Sequence, residues 1–216
     1  VALPDLMSLF LPQRTADVLP RAPLGPVPQQ GTEEFELLFQ TSAHGIGLVG
    51  HCELCFDGWT LTYGAYDPAH QRLLRTMGAG IVFSAPREPY LRWCIGTHHR
   101  RVISYSLRLP PAQAAQLRAE LESFRQTLSP WQPEALPEDC FAGRLHRLGG
   151  VRFWRVQRGP YATYFIPTIN CVSLTNKLLE KTDIGRTVML GLKTPGAYLD
   201  LLEREYLAGN PAVTAR

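Results

Sequence analysis

Apolar and polar positions divide the chain into stretches with two different periods. "EEFELLFQ" (33–40) has the apolar content of a strand. "GHCELCF" and "GWTLTYGAY" read as two strands joined at Asp57-Gly58, a dipeptide that favours the tight turn of a hairpin. "RRVISYSLRL" (100–109) is a further strand. At Pro110-Pro111 the period changes: Leu117, Leu121, Phe124 and Leu128 fall at i, i+4, i+7 and i+11, one stripe of a helix opened by proline. "GVRFWRVQRGPYATYFIP" holds two strands split at Arg158-Gly159-Pro160. A helix is expected from Cys171 to about Lys181, with Gly185 as its stop. A last helix should start with Thr194 as N-cap and Pro195 in its first turn, burying Tyr198, Leu202 and Tyr206. Many strands and few helices indicate an α+β fold, an antiparallel sheet with helices packed on one side.

Composition narrows the class. With 216 residues, 45% hydrophobic and 19% charged, the chain is long enough to bury a core without disulfide staples. Residues 1–32 are rich in proline and read as an arm or linker, leaving 33–216 as one catalytic-size domain. The net charge of +3 is mild and the basic residues are scattered, which argues against nucleic acid as a partner. No apolar run approaches the ~20 residues of a membrane span, so stable membrane insertion is not expected. The first residues lack a basic segment ahead of their short apolar stretch, so a secretory signal is not expected either. Five cysteines at irregular spacing make a poor disulfide framework and point to free thiols and synthesis in a reducing compartment.

One of those thiols stands where chemistry is favoured. In "YFIPTINCVSLTNKLLEK", Cys171 opens a helix, where free N–H groups and the helix dipole lower a thiol's pKa and can hold an oxyanion. Asn170 before it can cap the helix or donate a side-chain hydrogen bond. A nucleophilic cysteine needs a base, and His51, at the head of "HCELCF", is the candidate; His44 in "SAHGIG" is another histidine able to line a cleft. A third group should orient the imidazole. Tyr63, Asp67, Glu53 and Asp57 are the choices, with Asp67 preferred because a carboxylate best stabilises an imidazolium. Cys52 and Cys55 invite a zinc reading, but Cys94 with His98 is the one other pair at ligand spacing, and a strand would send Cys52 and Cys55 to opposite faces. Neither a phosphate-binding glycine loop nor a G-x-S-x-G elbow is present, and no motif calls for a metal or cofactor.

The order of histidine on an early strand, hairpin, then tyrosine and Asn-Cys opening a late helix resembles the circularly permuted branch of the papain-like, NlpC-type superfamily. "GHCEL…DGWTLTYGAYD" is similar to its histidine block and "YFIPTINCVSLTNKLL" to its cysteine block. The resemblance implies a permuted papain-like fold with Cys171 as nucleophile and His51 as general base. It further implies that Asn170, Tyr63 and Tyr164 contact the substrate or oxyanion, and that the third polar position falls near Tyr63. It implies a cysteine peptidase or amidase acting on peptidoglycan stem peptide, as in toxins delivered by type VI secretion. Such a protein is made in the bacterial cytoplasm and acts in the periplasm of a target cell, with an immunity protein and a secretion-machinery carrier as partners. The superfamily also includes lipid and thioester acyl hydrolases and acyltransferases, and a non-catalytic binding module with an inert Cys171 remains the plain alternative.

Overall fold

The computed structural model describes residues 33–41, 50–132, 140–183 and 194–215. The proline-rich arm, His44 and Gly185 lie outside the described residues. The described strands are β1 (Glu33–Thr41), β2 (His51–Phe56), β3 (Trp59–Gly64), β4 (Met77–Ala79), β5 (Ile81–Pro86), β6 (Arg101–Leu109), β7 (Leu128–Pro130), β8 (Arg152–Val156), β9 (Thr163–Phe165) and β10 (Val213–Ala215). The described α-helices are α1 (Arg87–Arg92), α2 (Pro111–Arg125), α3 (Phe141–His146), α4 (Cys171–Leu179) and α5 (Pro195–Leu207). Eight strands form one antiparallel sheet in the order β10-β6-β1-β2-β3-β5-β8-β7, and β4 pairs with β9 beside it. The fold is α+β, as the periodicity indicates.

Alternation along the strands builds two cores. Phe35, Leu37, Phe39, Cys52, Leu54, Tyr63, Val82, Tyr105 and Leu107 face α2, α4 and α5, meeting Leu117, Val172, Leu174 and Tyr198. Ile81, Phe83, Ala85 and Phe153 face the other way, onto Tyr90 of α1, Ala142 and Leu145 of α3, and Trp93 and Cys94 in the π-helical turn after α1. Helices therefore cover both faces, not one. The reason lies in α1 and α3: each has only six residues, too short to show a helical period in the sequence. The same double cover explains why β5 is not evident in the sequence: Ile81, Val82 and Phe83 are all fully buried, so the strand reads as a continuous apolar run without alternation. Arg87 of α1 ties this face to β1 through an ion pair with Glu36.

Local signals place the remaining pieces. Asp57 (φ 50°) and Gly58 (φ 77°) both adopt the left-handed conformation that a two-residue hairpin needs. Helix α2 ends at Arg125, and Leu128 enters β7 instead of extending the helical stripe. In α5, capped by Thr194, Tyr198 and Leu202 are buried while Tyr206 is 40% exposed and only edges against Tyr105.

One irregularity positions the site. β1 and β2 stay paired up to Gln40↔His51, and β3 and β5 up to Gly64↔Ile81. β2 and β3, however, pair only from Phe56↔Trp59 to Leu54↔Leu61. The sheet is split at the end where β2 begins and β3 finishes.

Candidate active site

The N-terminus of α4 fills that split. Asn170 adopts an extended backbone and its side chain accepts the Ser173 N–H at 3.0 Å, while the Ser173 hydroxyl accepts the Asn170 N–H at 2.9 Å, a reciprocal capping box. The Asn170 amide also donates to the Ile166 carbonyl at 2.8 Å. Asn170 thus fixes where α4 starts, with its side-chain oxygen and one amide N–H engaged in that task.

Cys171 is the first residue of the helix and 3% exposed. Its sulfur accepts the backbone N–H of Cys52 at 3.5 Å, at the level where β2 has no partner in β3. Burial pushes the thiol up to about 11, against the downward pull of the backbone N–H groups of Cys52, Val172 and Cys171 itself. The helix terminus does act on the thiol in the expected sense, but desolvation outweighs it. Cys52 points to the α4 side and reaches Thr175, whereas Cys55 meets the Thr60 hydroxyl at 2.9 Å. Among the described residues no three His, Cys, Asp or Glu side chains converge as metal ligands.

His51 stands one residue before Cys52, on the opposite face of β2. Gly50 precedes it at φ 71°, and a β-carbon there would lie 2.9 Å from the Gln40 carbonyl, so only glycine lets the chain enter β2 in this way. The His51 Nε2 lies 3.1 Å from the Tyr66 hydroxyl, whose ring stacks on Phe141. Desolvation, with the Arg100 charge adding to it, lowers His51 to about 3. The imidazole and the thiol are both neutral, and no hydrogen bond joins them: the sulfur holds Cys52 and the ring holds Tyr66.

Both nonetheless open onto one cavity of about 340 Å³, whose walls include Gln40, Glu53, Tyr66, Arg100, Tyr164 and Asn170. Tyr164, on β9, stands beside the sulfur, and its hydroxyl is raised by burial and then by Cys171. Glu53, two residues after His51, is 1% exposed. One carboxylate oxygen accepts from Gln40 Nε2 at 2.8 Å and from the Tyr90 hydroxyl, while Oε2 has no partner among the described residues. Burial lifts its pKa to about 7.

Two expected site residues are elsewhere. Asp67 does not orient His51. It caps the short turn Pro68–His70, accepting from the Ala69 N–H at 3.1 Å and from His70 Nδ1 at 2.7 Å, and it pairs with Arg155. Tyr63 is buried outside the cavity wall. Its hydroxyl donates to the Tyr161 and Thr163 carbonyls at 2.9 and 3.3 Å, and its ring edges against Tyr164, so it sets the position of Tyr164. The group facing the far ring nitrogen is Tyr66, between the two. Asp67 offers the favoured carboxylate, but it lies past Gly64, where β3 ends, and is held by the turn it caps.

Comparison with known proteins adds nothing to this geometry: no family model matches the chain, and no curated protein or solved structure matches it.

Proposed function

We propose that the protein is a cysteine hydrolase that cleaves amide bonds, with Cys171 as nucleophile and His51 as base. The observation that supports this reading most is that one cavity is lined by a cysteine at a helix N-terminus and by a histidine from 120 positions earlier. A neutral imidazole whose Nε2–H donates to the Tyr66 oxygen leaves the Nδ1 lone pair to take a proton. In the reaction, the thiol proton passes to Nδ1 as sulfur bonds to the substrate carbonyl carbon. The Cys171 backbone N–H supports the oxyanion. The C–N bond then breaks, the amine leaves with the proton, and a thioester remains. Water gives a proton to His51, attacks the thioester, and releases acid and thiol. The resemblance makes peptidoglycan stem peptide the substrate, with action in the periplasm of a target cell as a permuted papain-like, type VI effector.

The test is product release from purified sacculi, followed by mass spectrometry. Cys171→Ala and His51→Ala each abolish release while thermal unfolding stays cooperative. A Cys171→Ala protein that digests as fast as wild type refutes the mechanism.

One observation favours a second reading, a non-catalytic binding cavity: both groups rest neutral, with the thiol near 11 and the imidazole near 3. Alkylation of Cys171 by iodoacetamide separates the two. In a working pair, His51→Ala slows the wild-type labelling rate at pH 7–8; around an inert thiol it leaves the rate unchanged.

A further inference from the structure

Arg100 enters the cavity wall from the turn that follows the π-helical segment. His99 takes φ 51°, and the Arg100 N–H donates to the Cys94 carbonyl at 3.0 Å, so the backbone is held just before β6 begins. The side chain is half-buried and lines the same cavity as Cys171 and His51. Two other partly buried arginines, Arg87 and Arg155, have carboxylate partners in Glu36 and Asp67. The Arg100 guanidinium has neither a hydrogen bond nor an ion pair with any described residue. Among the described residues Glu53 is the acidic one on the cavity wall; it feels the Arg100 charge, but its hydrogen bonds run to Gln40 and Tyr90. A residue that carries a planar fork of N–H donors thus lines the cavity with no described carboxylate hydrogen-bonded to it.

We propose that Arg100 is the substrate-anchoring residue of this cavity, binding a free carboxylate on the ligand that Cys171 and His51 act upon. A guanidinium matches a carboxylate with two parallel hydrogen bonds, and the confined, low-dielectric wall strengthens them. The recognition rests on the cavity alone; its consequence for chemistry rests on the hydrolase reading. A carboxylate on Arg100 cancels the cation that helps keep His51 unprotonated, so the group that anchors the substrate also makes the base more basic. Substrates with a carboxylate near the scissile amide are then favoured over their amidated counterparts.

Alkylation tests this without any hydrolysis assay. Iodoacetate and iodoacetamide have nearly the same size and differ in one carboxylate. Their relative rates at Cys171, read by peptide mass spectrometry, are normalised to the same ratio for glutathione. In wild type the normalised ratio favours iodoacetate by roughly tenfold or more, the scale of a charge-assisted hydrogen bond. Arg100→Gln returns it to the glutathione value, Arg100→Lys retains part of it, and Arg118→Gln, on the exposed surface beside Asp57, leaves it unchanged. N-acetylglycine protects Cys171 from iodoacetamide in wild type, whereas its amide does not; this arm decides the matter if Arg100→Gln fails to fold. A wild-type ratio equal to that of glutathione, an excess that survives Arg100→Gln, or a Cys171 that neither reagent reaches overturns the proposal. Failure of the hydrolase reading looks different: the iodoacetate preference persists in a protein that cleaves nothing.

Discussion

Glu53→Gln should change the pH dependence of stability in a direction fixed by two groups of opposite sign, the buried Glu53 and the partly buried His51. Glu53 is raised from 4.5 to about 7 in the folded protein. Between those values the unfolded chain has released its proton and the native state still holds it, so stability falls as pH rises, by about 1.4 kcal/mol per pH unit. His51 is lowered from 6.5 to about 3. Between those values the unfolded chain holds a proton that the native state lacks, so stability rises with pH at the same rate. From pH 4.5 to 6.5 the two slopes cancel in the wild type. Glu53→Gln removes one of them. Its amide oxygen still accepts from Gln40 and Tyr90. The stability of the variant relative to wild type should therefore climb steadily from pH 4.5 to 7, by about 3 kcal/mol in all. Every other titrating group contributes equally to both proteins and drops out of the difference.

Urea unfolding at pH 4.5, 5.5, 6.5 and 7.5 measures that difference directly, provided the m-value is unchanged. A difference that stays constant across the range means that Glu53 ionises normally in the folded state. The buried, half-satisfied carboxylate described above would then be wrong.

Three other substitutions follow from the same geometry. Tyr66→Phe leaves the His51 Nε2 without its hydroxyl partner and should cost about 1–2 kcal/mol, a drop of several degrees in Tm; under the proposed hydrolase reading it lowers kcat while KM holds, because the ring loses its orientation. Asn170→Ala removes the cap of α4 and the bond to Ile166, with an expected loss of about 1–2 kcal/mol in chemical unfolding. Cys171→Ser keeps an acceptor for the Cys52 N–H and should unfold within about 1 kcal/mol of wild type, while product release from sacculi falls to the level of Cys171→Ala.

What could be read along the chain was set by short-range chemistry. The hairpin at Asp57-Gly58 needs only two residues that tolerate positive φ, and the start of α4 needs only Asn170 and Ser173 to exchange hydrogen bonds. Thr194 and Pro195 open α5 by the same kind of local rule. Cys171 and His51 stood out because a helix N-terminus and the head of a strand are visible in sequence, and both do line the cavity. What was hidden depends on the other side of the sheet. β5 has no alternation because both its faces are covered. Helices α1 and α3 are too short to have a period. Arg100 reads as one more base in "THHRR", and Tyr66 as one more aromatic beyond a strand end; only the tertiary fold brings each to the His51 ring. Asp67, a carboxylate three positions past the nearest strand, looked like the better partner, yet the turn it caps directs it to Arg155.

The split between β2 and β3 accounts for how a cysteine and a histidine on opposite faces of one sheet share a cavity. Alternation sends Cys52 toward α4 and sends His51 and Glu53 toward Tyr90. In an unbroken sheet, β3 would take the Cys52 N–H, and the backbone would wall the two faces apart. With β3 parting from β2 beyond Leu61, that N–H needs another acceptor, and the sulfur at the tip of α4 supplies it. Closing the N–H and opening the passage are thus one event. The same contact holds the sulfur among backbone donors, where negative charge developing on it is stabilised, while the protein around it suppresses that charge at rest. A site built this way is quiet when empty. The proposed reactivity has to come from what enters the cavity, and Arg100, which has no hydrogen-bonded carboxylate among the described residues, is where an entering anion changes the electrostatics of the His51 ring most directly.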